Sequence, residues 1–344
     1  MIARPETSRT IGIETESPLV ARVFALLADG QFHSGEDLAQ RLSVSRSAVW
    51  KAANTLRELG ATLHAVRNRG YRLTAAAEPL DAARIRARLP KTVGTQLKSV
   101  EVFWSVDSTN TTLMRRPNPP VGSSEALLAE YQTAGRGRRG RTWVAPPGGA
   151  ICLSLSWTFA AVPRDLGALG LVVGVCARRA LGEQGLRNIR LKWPNDLLVE
   201  DCKLGGVLIE LRAESGGPAC VVIGIGLNVM LGDELIKALA QSGPTPIDLV
   251  SSGLAEPSRN EIAAALIGSF VSGLLEFSGE GLRPFLGEWR DADALRGRAV
   301  CVQAGEQMTR GLARGVDPNG ALLVETDQGL QRFISGDVTV RAAA

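Results

Sequence analysis

The segment Gly135-Arg136-Gly137-Arg138-Arg139-Gly140-Arg141-Thr142-Trp143 restricts what this chain can fold into more than any other. Three glycines in nine residues suit neither a helix nor a strand interior, so the segment is a loop. It directly follows a strand-like run, Ala126–Tyr131, and Gln132, which places it inside a domain. Glycine permits positive φ and lets backbone N–H groups turn toward an anion. The four arginines add forked donors that match phosphate or carboxylate oxygens. Such a loop is suited to hold a polyphosphate and to close when negative charge arrives. A solvated basic loop or a nucleic-acid tract has similar composition. Tracts of that kind repeat in low-complexity tails, whereas this one is single and tied to a tryptophan.

Two further signals carry polar chemistry. Lys192-Trp193-Pro194-Asn195-Asp196 reads as a stiff turn between two strands, followed by Lys203-Leu204-Gly205-Gly206. Asn195 and Asp196 at that turn can meet a hydroxyl or a metal-bound phosphate. Lys203 opens the next strand beside two glycines that allow a ligand close to the backbone, where an ammonium stabilises charge on an α-phosphate. Each also has a plain structural reading, as a turn residue or a hairpin-edge lysine. Asp107-Ser108-Thr109-Asn110 follows a strand and opens a helix; capping alone explains these residue types, and polar contacts to a ligand are the alternative. The chain has no G-x-x-x-x-G-K-[ST], H-E-x-x-H or G-x-S-x-G sequence, and its two histidines, His33 and His64, lie far from these motifs. Covalent Ser/His or Cys/His catalysis therefore lacks its base. Positioning and cation clamping remain, which is what nucleotidyl transfer requires.

The 344 residues, 45% hydrophobic and 22% charged, describe a globular chain of two or three domains. Five cysteines at 152, 176, 202, 220 and 301 form no C-x-x-C pair, which fits reduced core thiols and a cytoplasmic setting. The N-terminus has no apolar signal-peptide core, and no apolar run reaches the roughly 18–20 residues of a membrane helix, so neither export nor membrane insertion is expected.

Along the chain, residues 1–18 read as a flexible tail. Residues 19–74 show the order helix, helix, turn, helix, β-hairpin of a winged helix-turn-helix. Its third helix, Arg46 to Leu59, is expected to turn Val49, Trp50, Ala53 and Leu56 inward. Residues 79–290 alternate strands and helices, an α+β mixed sheet. Residues 296–341 hold five short strands with turns rich in Gly, Asp, Asn and Pro, a small SH3-like β-barrel.

These motifs occur in one order: Asp107–Asn110, Ala129–Trp143, Lys192–Asp196, Lys203–Gly206 and Gly224-Ile225-Gly226-Leu227-Asn228. Together they resemble the biotin–protein ligases, and the winged start is similar to the bifunctional class that also represses biotin operons. The resemblance spans about residues 20–341. It implies that Ser108, Thr109, Asn110 and Gln132 grip the biotin head group. Arg136, Gly137 and Arg138 then fold over biotin and its adenylate, and Lys203 contacts the carboxylate and α-phosphate, with Lys203 and Arg138 carrying catalysis. Arg139, Arg141, Trp143, Asn195, Asp196 and Asn228 line the nucleotide side. ATP, with Mg²⁺ on its phosphates near Asp196 and no protein cage for the metal, would activate biotin. The resulting adenylate would pass to a lysine of the biotin carboxyl carrier protein of acetyl-CoA carboxylase. One departure concerns residues 230–250, which hold no aromatic residue where the bifunctional class can stack one on adenine.

Between Arg41 and Leu73, seven basic residues face one acid, Glu58, a local net charge of +6 against +4 for the whole chain. Ser45, Arg46, Ser47 and Lys51 lie on the expected recognition helix, and Arg67 and Arg69 on the wing tip, where they can face bases or phosphates. A winged fold kept for domain packing is the alternative. Operator binding would require a homodimer promoted by the adenylate. The rivals for the whole chain are a lipoate or octanoate ligase and a ligand-sensing transcription factor without ligase activity.

Overall fold

The computed structural model describes residues 18–74, 76–213, 217–241, 243–334 and 338–342. The expected tail, apart from Pro18, lies outside the described residues.

Helices α1 (Leu19–Leu27), α2 (Gly35–Leu42) and α3 (Arg46–Glu58) precede the hairpin β1 (Leu63–Val66) and β2 (Gly70–Leu73). Local chemistry sets their ends. Ser34 Oγ accepts from Asp37 N at 3.0 Å and Ser45 Oγ from Ala48 N at 3.2 Å, satisfying N–H groups that have no partner inside the helix. Ser43, at φ 54°, ends α2 in the left-handed region. Val23, Phe24, Leu27, Leu38, Leu42, Val49, Ala53, Leu56, Leu63 and Leu73 form one buried cluster. Trp50 does not join it: its relative exposure is 55%, against the inward position expected. Helix α3 buries Val49, Ala52, Ala53 and Leu56, a stripe with helical spacing, and Trp50 stands about 100° from Val49, outside that stripe.

The central domain opens with α4 (Ala82–Arg88), β3 (Leu97–Val106), α5 (Thr109–Met114), β4 (Ser124–Gln132) and β5 (Ala150–Phe159). It continues with α6 (Leu169–Glu183), β6 (Arg190–Lys192), β7 (Asp196–Val199), β8 (Cys202–Ala213) and β9 (Ala219–Asn228). Three helices follow: α7 (Asp233–Ala240), α8 (Arg259–Glu280) and α9 (Leu286–Ala292). The seven strands run in the order β3-β4-β5-β9-β8-β7-β6. Only β3–β4 pair in parallel. Alternation along the strands sorts the two faces. Leu153, Leu155, Trp157, Val221 and Ile223 join the main core with α6 and α8, whereas Leu127 and Val222 meet Leu113 of α5 on the other face. Helix α8 is long and apolar enough by composition to cross a membrane, which the sequence reading did not register. Most of its apolar residues, among them Ile262, Leu266, Ile267, Phe270, Leu274 and Phe277, are buried in the main core, and Leu275 is exposed.

Strands β10 (Ala299–Ala304), β11 (Gln307–Val316), β12 (Leu322–Thr326), β13 (Gly329–Phe333) and β14 (Val338–Ala342) form an antiparallel sheet in the order β13-β12-β11-β10-β14. Its core residues Val300, Val302, Leu322 and Val324 are continuous with the main cluster, and Trp193 Nε1 donates to Gly320 O at 3.1 Å.

One buried ion pair ties the parts together. Arg259, at the start of α8, meets Glu130 of β4 at 2.8 Å, with side-chain exposures of 1% and 2%. Glu130 also accepts from Leu80 N at 2.6 Å and Gly148 N at 3.3 Å, and Arg259 donates to Glu78 O and Ala150 O. The segment leaving the winged domain is thus fastened to the sheet. Close by, a Cβ on Gly148 would stand 2.9 Å from Ala77 and 3.1 Å from Phe24, and Phe24 lies 5.6 Å from Trp104 of β3. Removing one partner leaves the other charge buried and uncompensated. Arg259→Met is expected to lower stability by about 3–5 kcal/mol in a denaturant titration; a loss below about 1 kcal/mol would show that the pair does not fasten the domain.

Candidate active site

The α5 face of the sheet carries a cavity of about 440 Å³. Its floor is made by glycines. A Cβ on Gly224 would stand 2.3 Å from Asn110 Oδ1, and one on Gly226 would stand 2.4 Å from the Trp143 ring. Only a residue without a side chain lets Asn110 and Trp143 lie this close to β9. Gly206 and Leu208, two residues apart on β8, line the same cavity.

Ser108 caps α5, and Thr109 and Asn110 begin it; all three are buried. Ser108 N donates to Asp107 Oδ1 at 2.7 Å. That bond, reinforced by Arg115 at 2.8 Å, holds the Asp107 carboxyl below its ordinary range despite an opposing desolvation cost. Thr109 N donates to Gln132 Oε1 at 2.8 Å. Both donors of the Asn110 amide are engaged within the protein, Nδ2 donating to Glu210 Oε2 at 2.9 Å and to Leu208 O at 3.3 Å, and Oδ1 lies 2.6 Å from Ser154 Oγ. Cys152 of β5 is buried, and desolvation pushes its thiol up to about 11, leaving it neutral.

The arginine segment is folded over the opening. Its ends are pinned by Ala134 N to Asp107 O (2.8 Å) and Trp143 N to Gly135 O (2.9 Å), and Gly137 N donates to Arg141 O at 2.7 Å. Arg136 is ion-paired with Glu210. Arg138 Nη1 donates to Asn195 Oδ1 at 3.3 Å, and Asn195 Nδ2 donates to Val207 O at 2.7 Å. Lys203 Nζ donates to Asp196 Oδ1 at 2.6 Å in a mostly buried pair. Asn228 Nδ2 donates to Lys203 O and Ile247 O.

Twelve of the fourteen residues read from the sequence as biotin- or ATP-contacting line this one cavity: Ser108, Thr109, Asn110, Gln132, Arg136, Gly137, Arg138, Arg141, Trp143, Asn195, Lys203 and Asn228. Two do not. Arg139 adopts φ 58° and is exposed, and Asp196 stands behind Lys203. The segment 230–250, without an aromatic, contains helix α7, which the sequence reading left unassigned; it contributes Leu239, Gly243, Pro244 and Pro246 to the wall. Glu210 and Ser154 also escaped that reading. Alternation supplied a signal for Glu210, since Gly206, Leu208 and Glu210 fall on one face of β8.

The DNA-directed residues lie in the winged domain. Ser45, Arg46, Ser47 and Lys51 are exposed on or just before α3, and Arg67 and Arg69 are exposed on the wing. Arg46 pairs loosely with Glu36 at 3.5 Å, and the Arg69 guanidinium sits 4.2 Å from the Phe32 ring centre. A cleft between α3 and the wing is lined by Arg46, Ser47, Trp50, Val66 and Arg67.

The floor can be tested directly. Gly226→Ala forces Trp143 off β9 and is expected to cost about 1–3 kcal/mol in a denaturant titration. An unchanged midpoint would mean the ring has room to move.

Comparison with known proteins agrees with this arrangement. The model of the Biotin/lipoate A/B protein ligase family matches residues 102–228, that of the HTH domain residues 21–72, and that of the Biotin protein ligase C terminal domain residues 296–341. The chain is 38% identical to the bifunctional ligase/repressor BirA of Salmonella typhimurium over 96% of its own length and 99% of that protein. It is 37% identical to the Escherichia coli protein of the same name, over 94% and 97%. The solved structure of biotin protein ligase from Aquifex aeolicus in complex with biotin and ATP is 28% identical with a TM-score of 0.59, covering 72% of this chain and 99% of that one. With the winged domain, the glycine-floored cavity and the arginine segment on one chain, this protein belongs to the bifunctional ligase/repressor branch of the biotin protein ligase family.

Proposed function

We propose that this protein joins biotin to ATP as biotinyl-5′-adenylate, passes the biotinyl group to a lysine of the biotin carboxyl carrier protein, and represses biotin genes through its winged domain. The observation that carries the first part is the convergence of Arg136, Arg138, Arg141 and Lys203 on one cavity with a polar head and an apolar wall. Ser108, Thr109 and Gln132 form the head and receive the ureido ring; Asn110 shapes it. Leu239, Pro244, Pro246 and the Trp143 ring take the adenine side, with Asn195 and Asn228 beside the nucleotide.

The biotin carboxylate attacks the α-phosphorus and pyrophosphate leaves. Negative charge grows on the α-phosphate oxygens, where the Lys203 ammonium and the Arg138 guanidinium are already placed, so little reorganisation is needed. Asp196 orients Lys203, which trades part of that contact for the phosphate. The arginine segment then covers the mixed anhydride and excludes water until the carrier lysine attacks its acyl carbon and AMP leaves. Among the described residues no group of three or more His, Cys, Asp or Glu side chains could hold a metal, and Asp196 is engaged by Lys203. A Mg²⁺ carried on the ATP phosphates would supply charge neutralisation there, with the Asp196 carboxylate the acid beside Lys203. The reaction is assigned to the cytoplasm, in keeping with the free cysteines of the chain.

Incubation with biotin, MgATP and a carrier domain should add one biotinyl mass to the carrier, with lipoate in place of biotin adding none. Lys203→Ala and Arg138→Ala should each slow pyrophosphate release by roughly 10²–10³. Near-normal release by both variants, or equal use of lipoate, would refute the assignment.

For DNA, the carrying observation is the exposed basic set on α3 and the wing. Arg46, Lys51, Arg67 and Arg69 meet phosphates, Ser45 and Ser47 lie beside the bases, and the loose Arg46–Glu36 pair exchanges readily for phosphate. Two wings on a two-fold operator require a homodimer, favoured by the adenylate. In a gel shift with DNA upstream of the organism's biotin genes, binding should tighten when biotin and MgATP are present. Arg67→Ala should weaken it and flatten its salt dependence. Binding that is absent at low salt would sink this part alone.

A further inference from the structure

The polar contacts at the head of the cavity form one unbroken run. Gln132 Oε1 accepts from Thr109 N at 2.8 Å and Thr109 Oγ1 at 3.2 Å. Ser154 Oγ stands 2.7 Å from Thr109 Oγ1 and 2.6 Å from Asn110 Oδ1, with one hydroxyl proton to serve both. Asn110 Nδ2 donates to Glu210 Oε2 at 2.9 Å, and Arg136 donates to Glu210 Oε1. The run begins at Gln132, just before the arginine segment, and ends on Arg136 inside it. It therefore closes a ring around the hinge where that segment leaves β4.

Glu210 is the only acid in this ring. It does not line the cavity itself; it stands behind Asn110 and Arg136, which do. Both hydrogens of the Asn110 amide nitrogen are engaged, by Leu208 O and Glu210 Oε2, and its oxygen meets Ser154 Oγ, so a head group that disturbs Thr109 or Asn110 shifts the contacts of Ser154 and Glu210 as well. We propose that Glu210 is a positioning residue whose carboxylate holds the buried Asn110 amide and the Arg136 guanidinium together. Filling the polar head and closing the arginine segment are thereby one coupled event. The identity of the ligand rests on the function proposed above; the ring and its hinge do not.

The Arg136–Glu210 pair is partly exposed, 45% and 24%, so its effect is modest on the closed state and is read best as a rate of opening. Glu210→Gln keeps the shape and can still accept from Asn110 but loses the charge; Glu210→Ala loses both contacts. In ligand-free full-length protein, trypsin cleavage after Arg136–Arg141 should quicken roughly three- to tenfold in both variants, with melting temperatures close to the parent. A cleavage rate equal to the parent's in Glu210→Gln overturns the proposal. In protein preloaded with labelled biotin and MgATP, release of the adenylate into a chase should rise by a similar factor while its formation changes less than twofold. Equal losses in formation and retention would mark a merely structural role and also overturn it. Adding Arg136→Met to Glu210→Ala should bring no further increase in cleavage at the remaining arginines, because both act through one pair. If the parent protein forms no adenylate, the functional reading fails and the cleavage result still decides the role of Glu210.

Discussion

Cations gathered at one cavity repel one another, and they hold position only if each has a partner within the fold. That constraint governs this site. Arg136 rests on Glu210, Arg138 on Asn195, and Lys203 on Asp196. None of these partners comes from the arginine segment: Glu210 lies on β8, Asp196 opens β7, and Asn195 precedes it at the turn. The sheet and its turn therefore supply two carboxylates and an amide oxygen, against two arginines of the loop and one lysine of β8. An arriving polyphosphate meets donors already oriented, and it competes with carboxylates rather than with bulk water.

The same sheet explains why the donors converge. Even-numbered residues of β9 turn toward α5, and two of them, Gly224 and Gly226, are glycines against which Asn110 and Trp143 lie. Odd-numbered neighbours such as Ile223 and Ile225 enter the main core on the opposite face. A single strand thus makes both the floor of the cavity and part of the core. The buried Arg259–Glu130 pair and Gly148 place the start of β5 and the exit from the winged domain against each other. The chain that follows the arginine segment therefore runs directly to the contact with Phe24 of the winged domain and Ala77 of the segment that leaves it.

Much of this was legible beforehand. The helix start at Asp107–Asn110, the strand run Ala126–Tyr131 and the motif residues flanking them are local properties, set by side-chain oxygens, periodicity and glycine content. The sequence by itself determined the elements, their order and the kinds of group available for chemistry, because capping, alternation and backbone freedom act over a few residues. It misplaced Trp50, since an apolar residue next to a buried stripe is indistinguishable from one within it until the helix is docked. It left α7 unassigned, a short helix none of whose residues is buried, where no core pattern exists to read. Only the tertiary structure decided that Glu210 answers both Arg136 and the Asn110 amide. Those contacts join residues 74 and 100 positions apart, and pairing over that distance is fixed by strand register rather than by anything in the local sequence.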